Sequence, residues 1–240
     1  MIKEAIDRIL ELAKPNLVTE NGKTYSDKRL MKIERSERAA EITFSTLSSL
    51  VEYIKELPTE RKDIPYFVHV ISPTRVELIS GLDEDRERER LVLVNADLPE
   101  IPFGRYLGNE DMVIKLQAMF QDDSKGDKAL LLQFAGTVTS GSVKSYADDG
   151  VTQKATIKTG VASKAEAIVP SPCILRPYRT FIEVEQPESS FIFRMRDDGR
   201  NGVESALFEA DGGEWKIRAC DSIKAYLKDE LAGTGVLVVS

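Results

Sequence analysis

The sequence predicts an α+β fold with a mainly antiparallel sheet, several hairpins and flanking helices. Two observations lead to this class. Apolar residues recur at helical spacing in some segments and alternate with polar residues in others, and short turns rather than long crossovers join the alternating segments. At 240 residues the chain can bury a core without disulfides or metals. We therefore expect one α+β domain over residues 1–240, with a weaker alternative boundary near Gly108.

Amphipathic helices are predicted wherever apolar residues keep a helical period, in residues 2–13, 47–54, 112–120 and 223–231. The apolar run at 129–135 is too short to show a period and is also interpreted as a helix. For the helix starts we expect a capping box formed by Ser49 and Glu52, and an N-cap at Asn109. These segments should supply the helices that flank the sheet.

Antiparallel hairpins are predicted where turn residues join two alternating segments. The Asn21-Gly22 dipeptide is the strongest short-range hairpin signal in the chain. A turn at 72–74 predicts a second hairpin, whose register places His69 opposite Glu77. Further strands are expected at residues 41–44, 91–94, 151–159 and 236–239.

The centre of the sheet is expected in residues 167–211. Two runs rich in aromatic and β-branched residues, 180–186 and 191–196, are separated by a four-residue turn at 187–190. That turn length predicts a hairpin in which the apolar residues of both strands share one buried face. The predicted pairs are Val184 with Phe193, Ile182 with Met195 and, on the other face, Glu183 with Arg194.

Composition narrows the class of protein. The net charge is -7 with a pI near 5.1, which disfavours a dedicated nucleic-acid binder unless positive charge is gathered locally. Two cysteines, Cys173 and Cys220, are too few and too far apart for a disulfide framework or a metal site. Since the sequence has neither a long apolar run nor a secretory leader, we expect a cytoplasmic protein without a membrane partner.

No catalytic, cofactor or metal site is predicted. His69 is the only histidine, and its place opposite Glu77 favours a structural role. The glycine-rich run 136–142 lacks the Lys that a phosphate-binding loop requires. Three Asp-Gly pairs, at 149–150, 198–199 and 211–212, lack the ligand spacing of a calcium loop and are interpreted as turns.

One local gathering of positive charge is a candidate binding patch. Four arginines with an aromatic neighbour could bind phosphate groups and stack on bases. Nearby carboxylates at Glu183, Glu185 and Glu188 favour ion pairs within or between subunits instead. The candidate residues, called the arginine patch below, are Arg176, Tyr178, Arg179, Arg194 and Arg196.

Several segments together resemble the YfdQ-like family of phage and prophage proteins of unknown function. The resemblance covers nearly the whole chain and is most specific over residues 151–215. It implies a phage-encoded protein made in the host cytoplasm, and it brings no catalytic residues with it. The segments that carry it are Phe44-Ser45-Thr46, Asp148–Val151, Lys158–Val161, Leu175–Phe181, Glu183–Ser189 and Ala206–Gly213.

Three functions stay open at this point. The first is a non-enzymatic phage accessory protein that acts as a homo-oligomer, since the opening helix and the apolar run at 236–239 both need a cover. The second is an accessory factor in phage recombination or early functions that binds nucleic acid through the arginine patch, although the net charge disfavours it. The third is an unrecognised hydrolase that uses carboxylates.

Overall fold

The computed structural model confirms the α+β class. It describes residues 2–29, 38, 40–56, 65–83, 86–122, 126–137, 143–148, 153–159, 163–168, 171–197 and 203–240. The helices are α1 (Ile2–Ala13), α2 (Leu47–Lys55), α3 (Asn109–Met119), α4 (Lys128–Thr137) and α5 (Trp215–Glu230). The strands are β1 (Leu17–Glu20), β2 (Lys23–Ser26), β3 (Ile42–Phe44), β4 (Tyr66–Ser72), β5 (Arg75–Ser80), β6 (Arg90–Asn95), β7 (Leu107–Gly108), β8 (Val143–Asp148), β9 (Gln153–Thr159), β10 (Ser163–Ile168), β11 (Cys173–Leu175), β12 (Ser189–Asp197), β13 (Val203–Glu209) and β14 (Leu237–Val239).

The chain divides into two compact units, residues 1–39 and 40–240. The single domain expected from the sequence stays a prediction. The alternative boundary at Gly108 falls inside the second unit, where this glycine pairs with Glu204 of β13.

The first unit contains α1 and the β1–β2 hairpin. The predicted turn is confirmed, because Asn21 and Gly22 both have positive φ angles, 52° and 77°, which a two-residue turn of this kind requires. The hairpin is closed onto the end of the helix by hydrogen bonds, since the backbone N of Asn16 donates to Asp27 Oδ1 at 2.7 Å.

In the second unit, a five-stranded sheet of order β14-β4-β5-β6-β3 carries α2 and α5 on one face. The predicted turn at 72–74 is confirmed, with His69 opposite Glu77. The outer strands β3 and β14 run parallel to their neighbours, and the inner pairs are antiparallel. The core between sheet and helices includes Leu50, Val76 and Ile223, all fully buried.

A four-stranded antiparallel sheet of order β11-β12-β13-β7 forms a second layer with α3 and α4. Alternate residues of β12, including Phe191 and Phe193, are fully buried against the helices, and the ring of Phe134 on α4 meets Phe193 edge to face at 6.1 Å. A third sheet, β10-β9-β8, is antiparallel throughout, and the turn predicted at 149–150 lies outside the described residues.

The predicted hairpin 180–196 is wrong. Residues 181–188 form no strand, and β12 pairs instead with β11 and β13. Phe193 and Met195 are buried as predicted, but Ile182 is 78% exposed. The apolar alternation of 180–186 has another cause, because Phe181 and Val184 of this loop turn into the core beneath the five-stranded sheet.

Buried Gln186 holds this loop in shape. Its side-chain oxygen accepts hydrogen bonds from the backbone N of Arg179 and Thr180, and its amide nitrogen donates to the carbonyl oxygens of Thr180 and Phe181. One side chain therefore satisfies four buried backbone groups that a sheet partner would otherwise have to satisfy.

Two predicted helix caps are also wrong. The N-cap of α2 is Thr46, whose hydroxyl accepts from the backbone N of Ser49 at 3.2 Å. The N-cap of α3 is Gly108, and the amide of Asn109 instead donates to the carbonyl oxygen of Ala135 at 2.5 Å. The side chain of Asn109 therefore joins α3 to α4 instead of capping α3.

Candidate functional site

The arginine patch is divided by the geometry of β12. Arg176 and Arg179 lie in the loop after β11, beside the first residues of β12, whereas Arg196 lies near its other end. Seven residues of strand, about 23 Å, separate Ser189 from Arg196. The structure therefore brings Arg176 and Arg179 together but leaves Arg196 in a different group.

Arg179 is a buried anchor, with only 8% of its side chain exposed. Its guanidinium lies over the ring of Trp215, 4.0 Å from the ring centre. Nη1 donates to Glu209 Oε1 at 2.8 Å, and Nη2 donates to the hydroxyl of Ser189. Burial lowers the pKa of Arg179 to about 10, and the charges of Glu209 and Asp211 partly oppose that change.

Asp211 completes this cluster, 3.8 Å from Arg179 Nη2. Its burial acts to raise the pKa of the carboxyl group, but hydrogen bonds from Ser189 and from the backbone N of Gly213, together with the charge of Arg179, lower the pKa overall. The Asp211-Gly212 pair is a turn, as predicted, and Gly212 has a φ of 62°. The cluster therefore fixes the start of α5 against the four-stranded sheet.

Half-buried Arg176 and exposed Arg196 also have carboxylate partners. Arg176 donates to Glu185 at 2.7 Å and to Glu188 at 3.2 Å. Arg196 pairs with Glu204 at 2.8 Å and stacks over the ring of Tyr106. As a binding site for nucleic acid the patch stays a prediction, but a phosphate would have to compete with these carboxylates.

Arg194 and Tyr178 have different surroundings. Arg194 lies opposite Ala206 on the strand face that also carries Arg196. Tyr178 is half-buried, and its backbone N donates to the carbonyl oxygen of Met119 at 2.9 Å. Its side chain lines a cavity that the sequence did not predict.

This cavity, which we call the Asp97 cavity, has a volume of about 430 Å³. It lies between the start of α2, the residues that follow β6, the end of α3 and the loop at 178–183. Its ionisable lining residues are Asp97, Tyr178 and Glu183. No motif could have indicated it, because its walls come from four separate segments of the chain.

His69 takes part in a charged network on the face of the five-stranded sheet that α2 and α5 leave uncovered. Its Nδ1 lies 3.0 Å from Glu77 Oε1, so the predicted pair is confirmed. Arg90 Nε lies 2.7 Å from the other oxygen of Glu77, and Arg90 also donates to Glu41 at 3.2 Å. Glu77 is buried, and the ion pair with Arg90 together with the contact to His69 Nδ1 offsets the cost of burying its carboxylate.

The described residues contain neither a metal-binding cluster nor a membrane-spanning helix. Within the described part of the chain, no three His, Cys, Asp or Glu side chains come together in a way that could hold a metal ion. None of the described helices is long and apolar enough to cross a membrane. Most of the glycine-rich run 136–142, and the Asp-Gly pairs at 149–150 and 198–199, lie outside the described residues.

Helix α1 exposes apolar side chains along its whole length. None of its residues is buried. One face carries only apolar side chains, and the opposite face carries the charged ones, with Arg8 paired to Glu11 at 3.0 Å. The exposed fractions on the apolar face are 80% for Ile2, 51% for Ile6, 65% for Ile9, 57% for Leu10 and 66% for Leu12.

Comparison with known proteins gives no assignment: no family model, curated protein or solved structure matches this chain.

Proposed function

We propose that this protein is a phage or prophage accessory protein that acts in the host cytoplasm as a homo-oligomer, without enzymatic activity, and that α1 supplies the contact between subunits. The observation that carries the proposal is the apolar face of α1, whose large side chains are 51–80% exposed. An apolar stripe of this width is stable in water only when another surface covers it. The YfdQ-like resemblance supplies the phage origin and the host compartment.

A second copy of the chain is the partner that the charge distribution of α1 favours. The segment 2–14 carries three basic residues, Lys3, Arg8 and Lys14, and three acidic residues, Glu4, Asp7 and Glu11, so its net charge is zero. Two copies of this segment can therefore meet without the repulsion that a chain of net charge -7 otherwise has. A symmetric contact requires such a self-complementary surface.

Other partners have less support. A helix that lies on an anionic membrane surface has a basic polar face, whereas the polar face of α1 carries two basic and three acidic residues. The arginines of the predicted nucleic-acid patch are engaged with carboxylates at Arg176, Arg179 and Arg196. The apolar run at 236–239 is partly covered within the chain, since β14 pairs with β4 and Val238 is 4% exposed, while Leu237 at this sheet edge is 61% exposed.

Light scattering coupled to size exclusion tests the proposal. The intact chain at micromolar concentration should give a multiple of the 26.8 kDa monomer mass. Ile6→Glu places a charge on the apolar face and should reduce the mass to that of the monomer, because an unpaired buried charge disrupts the contact.

Ile114→Glu is the matched control. Ile114 lies on α3 and is 51% exposed, the same fraction as Ile6, so the two variants make the same chemical change at equally exposed helical positions. The control should keep the mass of the intact chain. A monomer mass for the intact chain, or equal masses for both variants, would show that α1 does not join subunits.

A further inference from the structure

We infer that the Asp97 cavity binds the ammonium group of an aliphatic amine. The inference is independent of the proposed oligomer, because every wall of the cavity belongs to residues 40–240. A volume of about 430 Å³ lies within the range of small-ligand pockets, which is roughly 300–1,000 Å³.

The charge of the lining selects a cation. Asp97 and Glu183 are both carboxylates, and none of the lining residues that the structure describes is Lys, Arg or His. Tyr178 adds an aromatic ring, a surface that attracts cations by its quadrupole. An anionic ligand would meet two like charges in this cavity, whereas an ammonium group would meet two opposite ones.

The hydrogen bonds of the lining show which groups a ligand can use. Thr180 is already engaged, since its hydroxyl donates to the carbonyl oxygen of Pro73 at 2.6 Å. Glu183 Oε1 accepts from the backbone N and the hydroxyl of Ser48, both at 3.2 Å, which fixes this lining side chain in place. Among the described residues, the carboxylate of Asp97 and the hydroxyl of Tyr178 have no protein partner, so both can accept from an ammonium group.

The remaining walls are suited to a hydrocarbon chain. Leu98, Pro99, Ala118 and Phe181 line the cavity, and Ile182, 78% exposed, stands at its edge. An exposed isoleucine beside an acidic cavity matches a ligand with a cationic head and an apolar stem. Two sources share this chemistry: a free aliphatic amine and the lysine side chain of another protein.

Titration with 1-hexylamine, followed by ligand-observed NMR and calorimetry, tests the inference, with hexanoate as the ligand of equal length and opposite charge. Hexylamine should bind saturably, and its affinity should fall as the salt concentration is raised, because salt screens the electrostatic attraction. Hexanoate should not bind. Equal binding of the two ligands, or no saturable binding of the amine, would overturn the inference.

Two variants locate the binding. Asp97→Asn should weaken hexylamine at least fivefold, since it removes a charge while keeping the shape, and Ala118→Phe should abolish binding by filling the cavity. Glu52→Gln is the matched control for lost charge, because Glu52 is an exposed carboxylate of α2 outside the cavity, and it should leave the affinity unchanged. An unchanged affinity in Asp97→Asn, or an equal loss in Glu52→Gln, would show that the cavity is not the site.

A comparison of hexylamine with a capped lysine and a short lysine peptide identifies the source. Tighter binding of the peptide would identify a protein side chain as the natural occupant, and tighter binding of hexylamine would identify a free amine. Both results support the shared chemistry, and failure of the capped lysine and hexylamine together would contradict it.

Discussion

Helices α1 and α2 have the same kind of sequence and opposite surroundings. Both place apolar residues at helical spacing on one face. In α2 that face is buried against the five-stranded sheet and α5, with Leu47 and Leu50 fully covered. In α1 no residue is buried. The comparison shows that amphipathic spacing predicts a helix and a face that needs a cover, but does not say what covers it.

The largest difference in mutational cost between the two units is expected when an aromatic side chain is replaced by Ala. Phe193→Ala should lower the free energy of unfolding by about 3–5 kcal/mol, because it leaves a cavity in a close-packed core. Tyr25→Ala in the first unit should cost less than about 1 kcal/mol, since Tyr25 is 57% exposed. Urea denaturation followed by the fluorescence of Trp215, the only tryptophan, measures both. Equal losses would mean that the hairpin of the first unit is buried in solution.

The two helices can be compared with one substitution. Leu50→Ala in α2 should lower the free energy of unfolding of residues 40–240 by about 2–5 kcal/mol. Leu10→Ala in α1 should change it by less than about 1 kcal/mol, since Leu10 is 57% exposed and Ala favours a helix. The same variant should weaken the proposed assembly in light scattering. A large loss of stability without a change in mass would place α1 within the core of its own subunit.

Two arginines of the patch sharpen the same contrast between buried and exposed groups. Arg179→Gln should lower the free energy of unfolding by about 2–3 kcal/mol. This is near the lower end for breaking a buried ion pair, because Glu209 is 43% exposed and partly solvated. Arg196→Gln should cost less than about 1 kcal/mol, as for other exposed pairs. Thermal and urea unfolding of the two variants measures both. A larger loss of stability in Arg196→Gln than in Arg179→Gln would contradict the assignment of Arg179 as the buried anchor.

The smallest effect is expected for the two thiols. Burial, with a smaller contribution from the charge of Asp127, raises the pKa of Cys173 to about 12, whereas Cys220 is half-buried and its pKa is raised mainly by burial. Iodoacetamide at pH 8 should therefore label Cys220 before Cys173, as mass spectrometry of the peptides would show.

The same shift gives a dependence of stability on pH. The pKa of Cys173 is higher in the folded chain, so the folded state favours the neutral thiol. The stability that this preference contributes is complete below the unfolded pKa, near 9, and is lost as pH rises towards about 12. Cys173→Ala should remove this component of the pH dependence. Faster labelling of Cys173 than of Cys220 would contradict the burial on which both expectations depend.

The sequence by itself determined what depends on neighbouring residues. The Asn21-Gly22 turn follows from the positive φ angles that these residues accept, and the turn at 72–74 set a register that brought His69 to Glu77. Helices α1 and α2 followed from their apolar period. For the candidate site, the sequence located the arginine patch and the nearby carboxylates, of which Glu185 and Glu188 pair with Arg176. The one specific pair it predicted, Glu183 opposite Arg194, is wrong, because Arg194 lies opposite Ala206.

Only the tertiary structure decided which distant segments meet. The alternation in 180–186 shows that some of its residues are buried, but not that Phe181 and Val184 enter a core as part of a loop. Strand β12 pairs with β11 and β13 because of packing over the whole chain, and no single segment encodes that pairing. Arg179 is fixed by Glu209 and Trp215, which lie 30 and 36 residues further along, and the Asp97 cavity exists only where four segments meet.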